Sequence, residues 1–342
     1  MRFINKKELL SCFFGNAFVI ALSRLFSSTK NKGIPVLAYH RISQDNDGGL
    51  LSNSGSQLIS ATRGQFLKQM RYLSKNGYQT VLFSDLDDKN CILPERPVII
   101  TFDDGFSDNY DIASKVLEEF GFKAVFFIST DYIGSGDYYW FDKLLTYQDY
   151  DANIQVITKT LLEYDSDIEN KNVIEILKDK PNESRLHLLD KINANISEND
   201  SRPVNNLTYN CLPMTWNQVI ELSSHGHEIG SHSKTHPMLS RCGYQEQVDE
   251  IEGSRKEIEA HIGKKVCVFS YPFGGRDSYS NDVIDILKAS GYKYACNYLS
   301  GMYFPSANNT YEISRLHIEQ EISFRRFKAL LEFSKIISYR EI

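Results

Sequence analysis

From Gly33 onward, short runs of consecutive apolar residues alternate with longer stretches in which apolar positions recur at helical spacing. Residues 34–39, 98–102 and 124–128 have the near-continuous hydrophobicity of strands buried on both faces. Residues 79–83, 228–232, 266–271, 292–297 and 313–318 supply further strand-like runs. Between them, residues 65–75 and 112–120 follow helical periodicity and stop at Asn76-Gly77 and at Gly121. This alternation predicts a mostly parallel sheet of α/β type, and each chemically interesting residue falls at the C-terminal end of a strand.

The pattern changes over about residues 131–213. Helical clusters at 154–162, 173–177 and 186–192 are separated by joints containing Asp, Asn, Ser and Pro, with no strong strand among them. The stretch reads as a helical insertion over a barrel rim, either packed on the barrel with solvated acidic faces or serving as a lid that touches a ligand. Tyr138, Tyr139, Trp140 and Phe141 at its start suit a core, or stacking against sugar rings. Ahead of the barrel, residues 1–32 form an apolar, amphipathic segment in which Arg2, Lys6 and Lys7 precede residues 9–22. That run is short for a membrane span. It leaves open a signal peptide cut near Ala21-Leu22-Ser23, a helix lying on a membrane surface, or a helix packed on the domain. The domain plan is thus 1–32 and a barrel over 33–342.

Composition narrows the function classes. The chain has 342 residues and a formal net charge of -6, without a long basic run, so nothing points to nucleic acid. Six cysteines (Cys12, Cys91, Cys211, Cys242, Cys267, Cys296) lack paired spacing and read as reduced thiols. A cytoplasmic or membrane-peripheral location fits those thiols, and a signal peptide would instead mean secretion. The sequons at Asn182, Asn195, Asn206 and Asn308 read as chance in an Asn-rich chain.

Two clusters carry chemistry. Thr101-Phe102-Asp103-Asp104-Gly105 places adjacent carboxylates at the end of a buried strand, where acidic groups are tolerated only if paired or bound to a cation. Far downstream, His232-Ser233-Lys234-Thr235-His236 sets two imidazoles four residues apart. One carboxylate and two neutral imidazoles, here Asp104, His232 and His236, make a site for a divalent ion with open positions for water and substrate. Zinc, cobalt and nickel all accept such donors. Asp103 is the carboxylate available as general base. Adjacent strand residues face opposite ways, so both can reach one site only where the strand ends, and Gly105 permits the bend.

With these two motifs the chain resembles the polysaccharide deacetylases, the homology domain of the nodulation chitooligosaccharide deacetylases, carbohydrate esterase family four. The resemblance covers about residues 33–318 and implies a distorted seven-stranded (β/α) barrel. It implies metal-dependent removal of N-acetyl groups from a glycan, either a cell-surface polysaccharide or its lipid-linked precursor. It assigns Asp103 as base and Asp104, His232 and His236 as metal ligands. A third family motif is matched in part by Ser270-Tyr271-Pro272-Phe273-Gly274, where the Phe273 N–H would serve the oxyanion with Pro272 fixing the turn and Tyr271 beside it.

The departures matter equally. Ser270 stands where the family has an arginine that orients the base, and Arg315, with Arg276 as the alternative, is expected to supply the cation. Ser314-Arg315-Leu316-His317-Ile318 resembles the family's last motif, which makes His317 the first choice for general acid. His40, ending the first strand, is the alternative. Arg315 and His317 lie two apart on one strand and share a face, so they compete for space. Two other readings stay open: a metal-containing carbohydrate-binding barrel without catalysis, and a deformylase or amidase of the same fold. Oligomeric state has no sequence signal.

Overall fold

A computed structural model describes residues 33–45, 59–88, 90–148, 151–164, 172–198, 212–307 and 309–337. The N-terminal segment 1–32, with its membrane and signal-peptide readings, lies outside them. Among the described residues no helix is long and apolar enough to cross a membrane.

Seven parallel strands close into a barrel: β1 (Val36–Tyr39), β5 (Pro97–Phe102), β6 (Val125–Ile128), β7 (Glu228–Ser231), β8 (Val268–Ser270), β9 (Tyr294–Ser300) and β10 (Ile313–His317). Strand β1 pairs with β5 on one side, Leu37 opposite Ile100, and with β10 on the other, Leu37 opposite Leu316. The two-residue β4 (Gln79–Thr80) adds to the start of β5, and β2 (Arg41–Ser43) pairs with β3 (Ile59–Thr62) outside the barrel.

Continuous apolar runs follow from burial on both faces. Val36, Ile99, Val125, Phe127, Val268, Cys296 and Ile313 fill the barrel interior. Their sequence neighbours Leu37, Ile100, Phe126, Phe269 and Leu316 pack outward against the helices. Helix Arg63–Lys75 shows how those helices form: Thr62 and Gln65 make a reciprocal capping box, and Phe66, Met70 and Leu73 present one buried face. Burying each such side chain is worth about 2 kcal/mol.

The strand-like run 79–83 is shorter than its pattern predicts, because a helix starts at Phe83. The carboxylate of Glu228, from β7, accepts the N–H groups of Phe83 and Ser84 and so caps that helix from a distant part of the chain. The region between β6 and β7 is helical, with Trp140–Tyr147, Asp151–Tyr164, Val173–Lys178 and Asn182–Glu198. These helices share a separate core that includes Trp140, Leu144, Ile157, Leu177, Leu188 and Ile192, joined to the barrel through Phe106. Among the described residues the cysteines Cys91, Cys242, Cys267 and Cys296 are free.

Candidate metal centre and catalytic cavity

Side-chain alternation decides what reaches the barrel mouth. Ile99 points inward, so Thr101 and Asp103 on the same strand do too; by the same parity Ser270 follows Val268, and Arg315 and His317 follow Ile313. Arg315 is fully buried and forms two hydrogen bonds to Asp103, Nη1 to Oδ1 and Nη2 to Oδ2, each 2.7 Å. Its other donors reach Thr101 Oγ1 at 3.3 Å, the Asn297 carbonyl at 3.0 Å and Ser270 Oγ at 3.1 Å. All five guanidinium N–H groups are thereby engaged, which is what a buried arginine requires. The small Ser270 both leaves room for this guanidinium and accepts one of its bonds. Burial pushes the Asp103 carboxyl up, but the facing Arg315 outweighs it and holds the pKa below the usual carboxylate range.

Asp104 turns the chain. It adopts a left-handed backbone with φ 70°, and Gly105 follows with φ 69°. A Cβ on Gly105 would come within 2.8 Å of Ile128, so glycine is required there twice over. Among the described residues only Asp104, Ser233, His236 and Phe273 combine a side chain with positive φ, and all four surround this site. Each costs about 1–2 kcal/mol, a local strain that the surrounding hydrogen bonds must hold. Tyr139 donates to the Asp104 carbonyl. Glu250 accepts the N–H groups of Lys234 and Thr235 at 2.8 and 2.9 Å and clamps the loop between the two histidines.

That loop brings His232 Nε2 to 3.3 Å and His236 Nε2 to 3.4 Å from Asp104 Oδ1. One donor atom from each of the three residues lies within 4.8 Å of the others, and all three side chains are buried. His232 Nδ1 is 2.7 Å from the Ser270 carbonyl. A carbonyl only accepts, so Nδ1 carries the hydrogen, which leaves Nε2, on the side of Asp104, as the atom available to a metal. Asp104 Oδ1 has no hydrogen-bond partner in this buried place. A carboxylate oxygen and two imidazole nitrogens that converge in a buried place are a donor set that fits a divalent ion.

The two candidate acids lie differently. His40 lines the cavity, with Nε2 3.9 Å from Asp103 Oδ2. Its backbone is fixed at both ends: the N–H donates to Ser60 Oγ at 2.8 Å and the carbonyl accepts from Asn109 Nδ2 at 2.7 Å. His317 lies flat beneath Tyr298, ring centroids 3.5 Å apart at 5°, and is not among the cavity-lining residues. Burial, with Arg315 adding to it, pushes its imidazole down to about 3. Tyr298 occupies a register slip in which Ile313 opposes Cys296 and Arg315 opposes Ser300, so Arg315 and His317 share a strand face without colliding.

Phe273 sits in a tight turn, φ 63°, closed by the Gly274 N–H on the Pro272 carbonyl at 2.8 Å. Gly274 passes so close to Tyr298 that a Cβ would lie 2.4 Å from its backbone nitrogen. Tyr271 lines the same cavity and stacks on Tyr279. The cavity measures about 290 Å³, and its outer wall comes from the insertion: Phe141, Leu145, Asn172, Ile174 and Glu175. Tyr139 and Trp140 are core, whereas Phe141 is both core and cavity wall. Sequence reasoning passed over Tyr298, Glu250, Ser60, Asn109 and Arg185. None of these stands out without the fold; Glu250 is one of three acids in Asp249-Glu250-Ile251-Glu252.

The polysaccharide deacetylase family model matches residues 92–295. The YxkH protein of Bacillus subtilis, which carries a polysaccharide deacetylase name, is 22% identical over 319 residues, covering 92% of this chain and 81% of that one. A Streptococcus pyogenes deacetylase, PplD, solved with acetate, superposes with a TM-score of 0.56 at 18% identity over 87% of this chain and 97% of its own. The polysaccharide deacetylase BC0361 of Bacillus cereus gives 0.57 at 18% identity over 88% and 69%. At such identities the superpositions establish a shared fold.

Proposed function

The chain belongs to the polysaccharide deacetylase family, and from that premise we propose that it is a divalent-metal-dependent hydrolase that removes N-acetyl groups from an N-acetylhexosamine-containing glycan, a cell-surface polysaccharide or its lipid-linked precursor. The observation that carries this is one cavity holding both an Asp–His–His set with converging ligand atoms and a separately paired carboxylate, Asp103. Zinc is the first choice of ion, with cobalt or nickel acceptable to the same donors.

Asp104, His232 and His236 would hold the ion, which would supply Lewis acidity at the acyl carbonyl and lower the pKa of water toward neutrality. Asp103 takes the proton that the attacking water loses. Arg315 keeps that carboxylate ionised and points both its oxygens along a fixed direction. The Phe273 N–H donates to the oxygen of the acyl group as charge develops on it. His40 is the residue we assign to protonate the departing amine, since its imidazole reaches the cavity beside Asp103 while His317 is covered by Tyr298. Acetate and a free amino sugar result. Ser270 by itself suggests a barrel that has lost its chemistry; the Asp103–Arg315 pair supports the catalytic reading instead.

Asp104→Ala and His232→Ala are the direct test. Each should lose bound metal, measured by elemental analysis of the purified protein, and acetate release from N-acetylated oligosaccharides. Wild-type turnover in either variant contradicts the assignment.

A further inference from the structure

His232 and His236 are held by different means. The His232 ring is oriented by its own hydrogen bond to Ser270. The His236 Nδ1 has none and is buried without a partner; beyond Asp104 and the His232 ring, 4.8 Å away between centroids, the ring meets Tyr139, Phe141 and Phe273 at 5.8, 5.2 and 5.0 Å. Its direction therefore depends on its backbone, which is itself left-handed with φ 53°. The His236 carbonyl accepts two hydrogen bonds, both from the insertion: Trp140 Nε1 and Arg185 Nη1, each at 3.4 Å.

Arg185 is an unusual choice for packing. It is 2% exposed, and among the described residues no carboxylate lies within ion-pair distance of it. Its charge is met by Asn182 Oδ1 at 2.5 Å, by the Trp140 ring at 5.0 Å and by the His236 carbonyl. Asn182 in turn donates to Glu246 at 2.8 Å, so that sequon side chain is already committed at both ends. Glu250 and Glu246 favour its charge only from beyond ion-pair distance; a buried guanidinium without a directly paired carboxylate is costly, and an apolar side chain would fill the space at less cost.

We propose that Arg185 and Trp140 are positioning residues for His236, so that the helical insertion sets metal affinity from outside the barrel by holding that ligand's carbonyl. The inference rests on the metal-site reading above. Groups behind metal ligands commonly change affinity about ten- to a hundredfold when removed.

The test uses the full chain, stripped with chelator and titrated with cobalt(II), following visible absorption, with zinc affinity obtained by competition. Arg185→Met should weaken cobalt and zinc binding by about ten- to a hundredfold and alter the cobalt absorption, with the metal-free melting midpoint close to wild type. Lys191→Ala removes an exposed ion pair with Glu163 that links the Arg185 helix to helix Asp151–Tyr164 and should leave affinity and spectrum unchanged. Trp140→Phe removes a single donor, should weaken binding several-fold, and decides the matter if Arg185→Met does not fold. Wild-type affinity and spectrum in Arg185→Met, or in Trp140→Phe where it must decide, overturn the inference alone. A wild-type protein that binds no cobalt overturns the metal reading and this inference with it.

Discussion

The barrel rim and the insertion serve one cavity with different physics. On the rim, direction comes from short polar bonds between strands: Arg315 to Asp103, and His232 to the Ser270 carbonyl. On the insertion side it comes from packing and from long bonds to a carbonyl, with aromatic rings about His236 and Trp140 and Arg185 behind it. A rim bond fails all at once, since removing one partner strands a buried charge. Packing fails by degrees, because neighbours relax into the space.

Three measurements press on that contrast. The largest effect is expected for Arg315→Met, which leaves Asp103 buried without its cation. Breaking a buried pair costs about 3–5 kcal/mol, readable by urea unfolding. The Asp103 pKa, now depressed by Arg315, should rise, so the acid limb of the activity profile moves toward neutral pH. An unchanged acid limb would mean that Arg315 does not govern the base.

The joint between the two regions comes next. Asp142 of helix Trp140–Tyr147 pairs with Arg41 of β2 at 2.6 Å, both side chains buried. Burial, opposed in part by Arg41, pushes the Asp142 carboxyl up from 3.8 to about 6. A folded-state pKa above the unfolded one means that the folded chain keeps its proton longer, so this group's contribution is full below about pH 4 and is lost as pH rises through 6. A displacement of that size is worth on the order of 3 kcal/mol. Asp142→Asn should remove that slope from urea-derived stability between pH 4 and 6. A variant curve parallel to wild type would show that the joint does not titrate.

The smallest expected effect separates the two imidazoles of the mouth. His317→Phe keeps a ring beneath Tyr298 and should change turnover only a few-fold, whereas His40→Gln should lower it by at least about a hundredfold, the usual loss for a missing general acid. The reverse ranking in acetate-release kinetics would return the acid role to His317.

How much of this was readable beforehand depends on the range of the forces involved. The parallel barrel was legible because burial on both faces writes continuous apolar runs, and the clustering of Asp104, His232 and His236 because they stand in short motifs. Arg315 was legible by a missing residue, since Ser270 left Asp103 without a cation. The start of a helix at Phe83 was not, because its cap, Glu228, arrives from β7. Nor was the difference between His40 and His317, which turns on Tyr298 and a register slip between β9 and β10. Arg185 looks like any polar position of an amphipathic helix until the fold brings it to His236.

Strand β1 joins β5 to β10, with Leu37 registered against both Ile100 and Leu316. Its partner β10 leaves the ribosome more than 270 residues after it. Contacts between such distant parts of a chain form slowly, since the intervening loop must be closed first. The same last strand carries Arg315 to Asp103. Closing the barrel and pairing Asp103 are therefore one event in the life of the chain, and a nascent polypeptide lacking β10 has neither a sealed sheet edge nor a partner for its buried carboxylate.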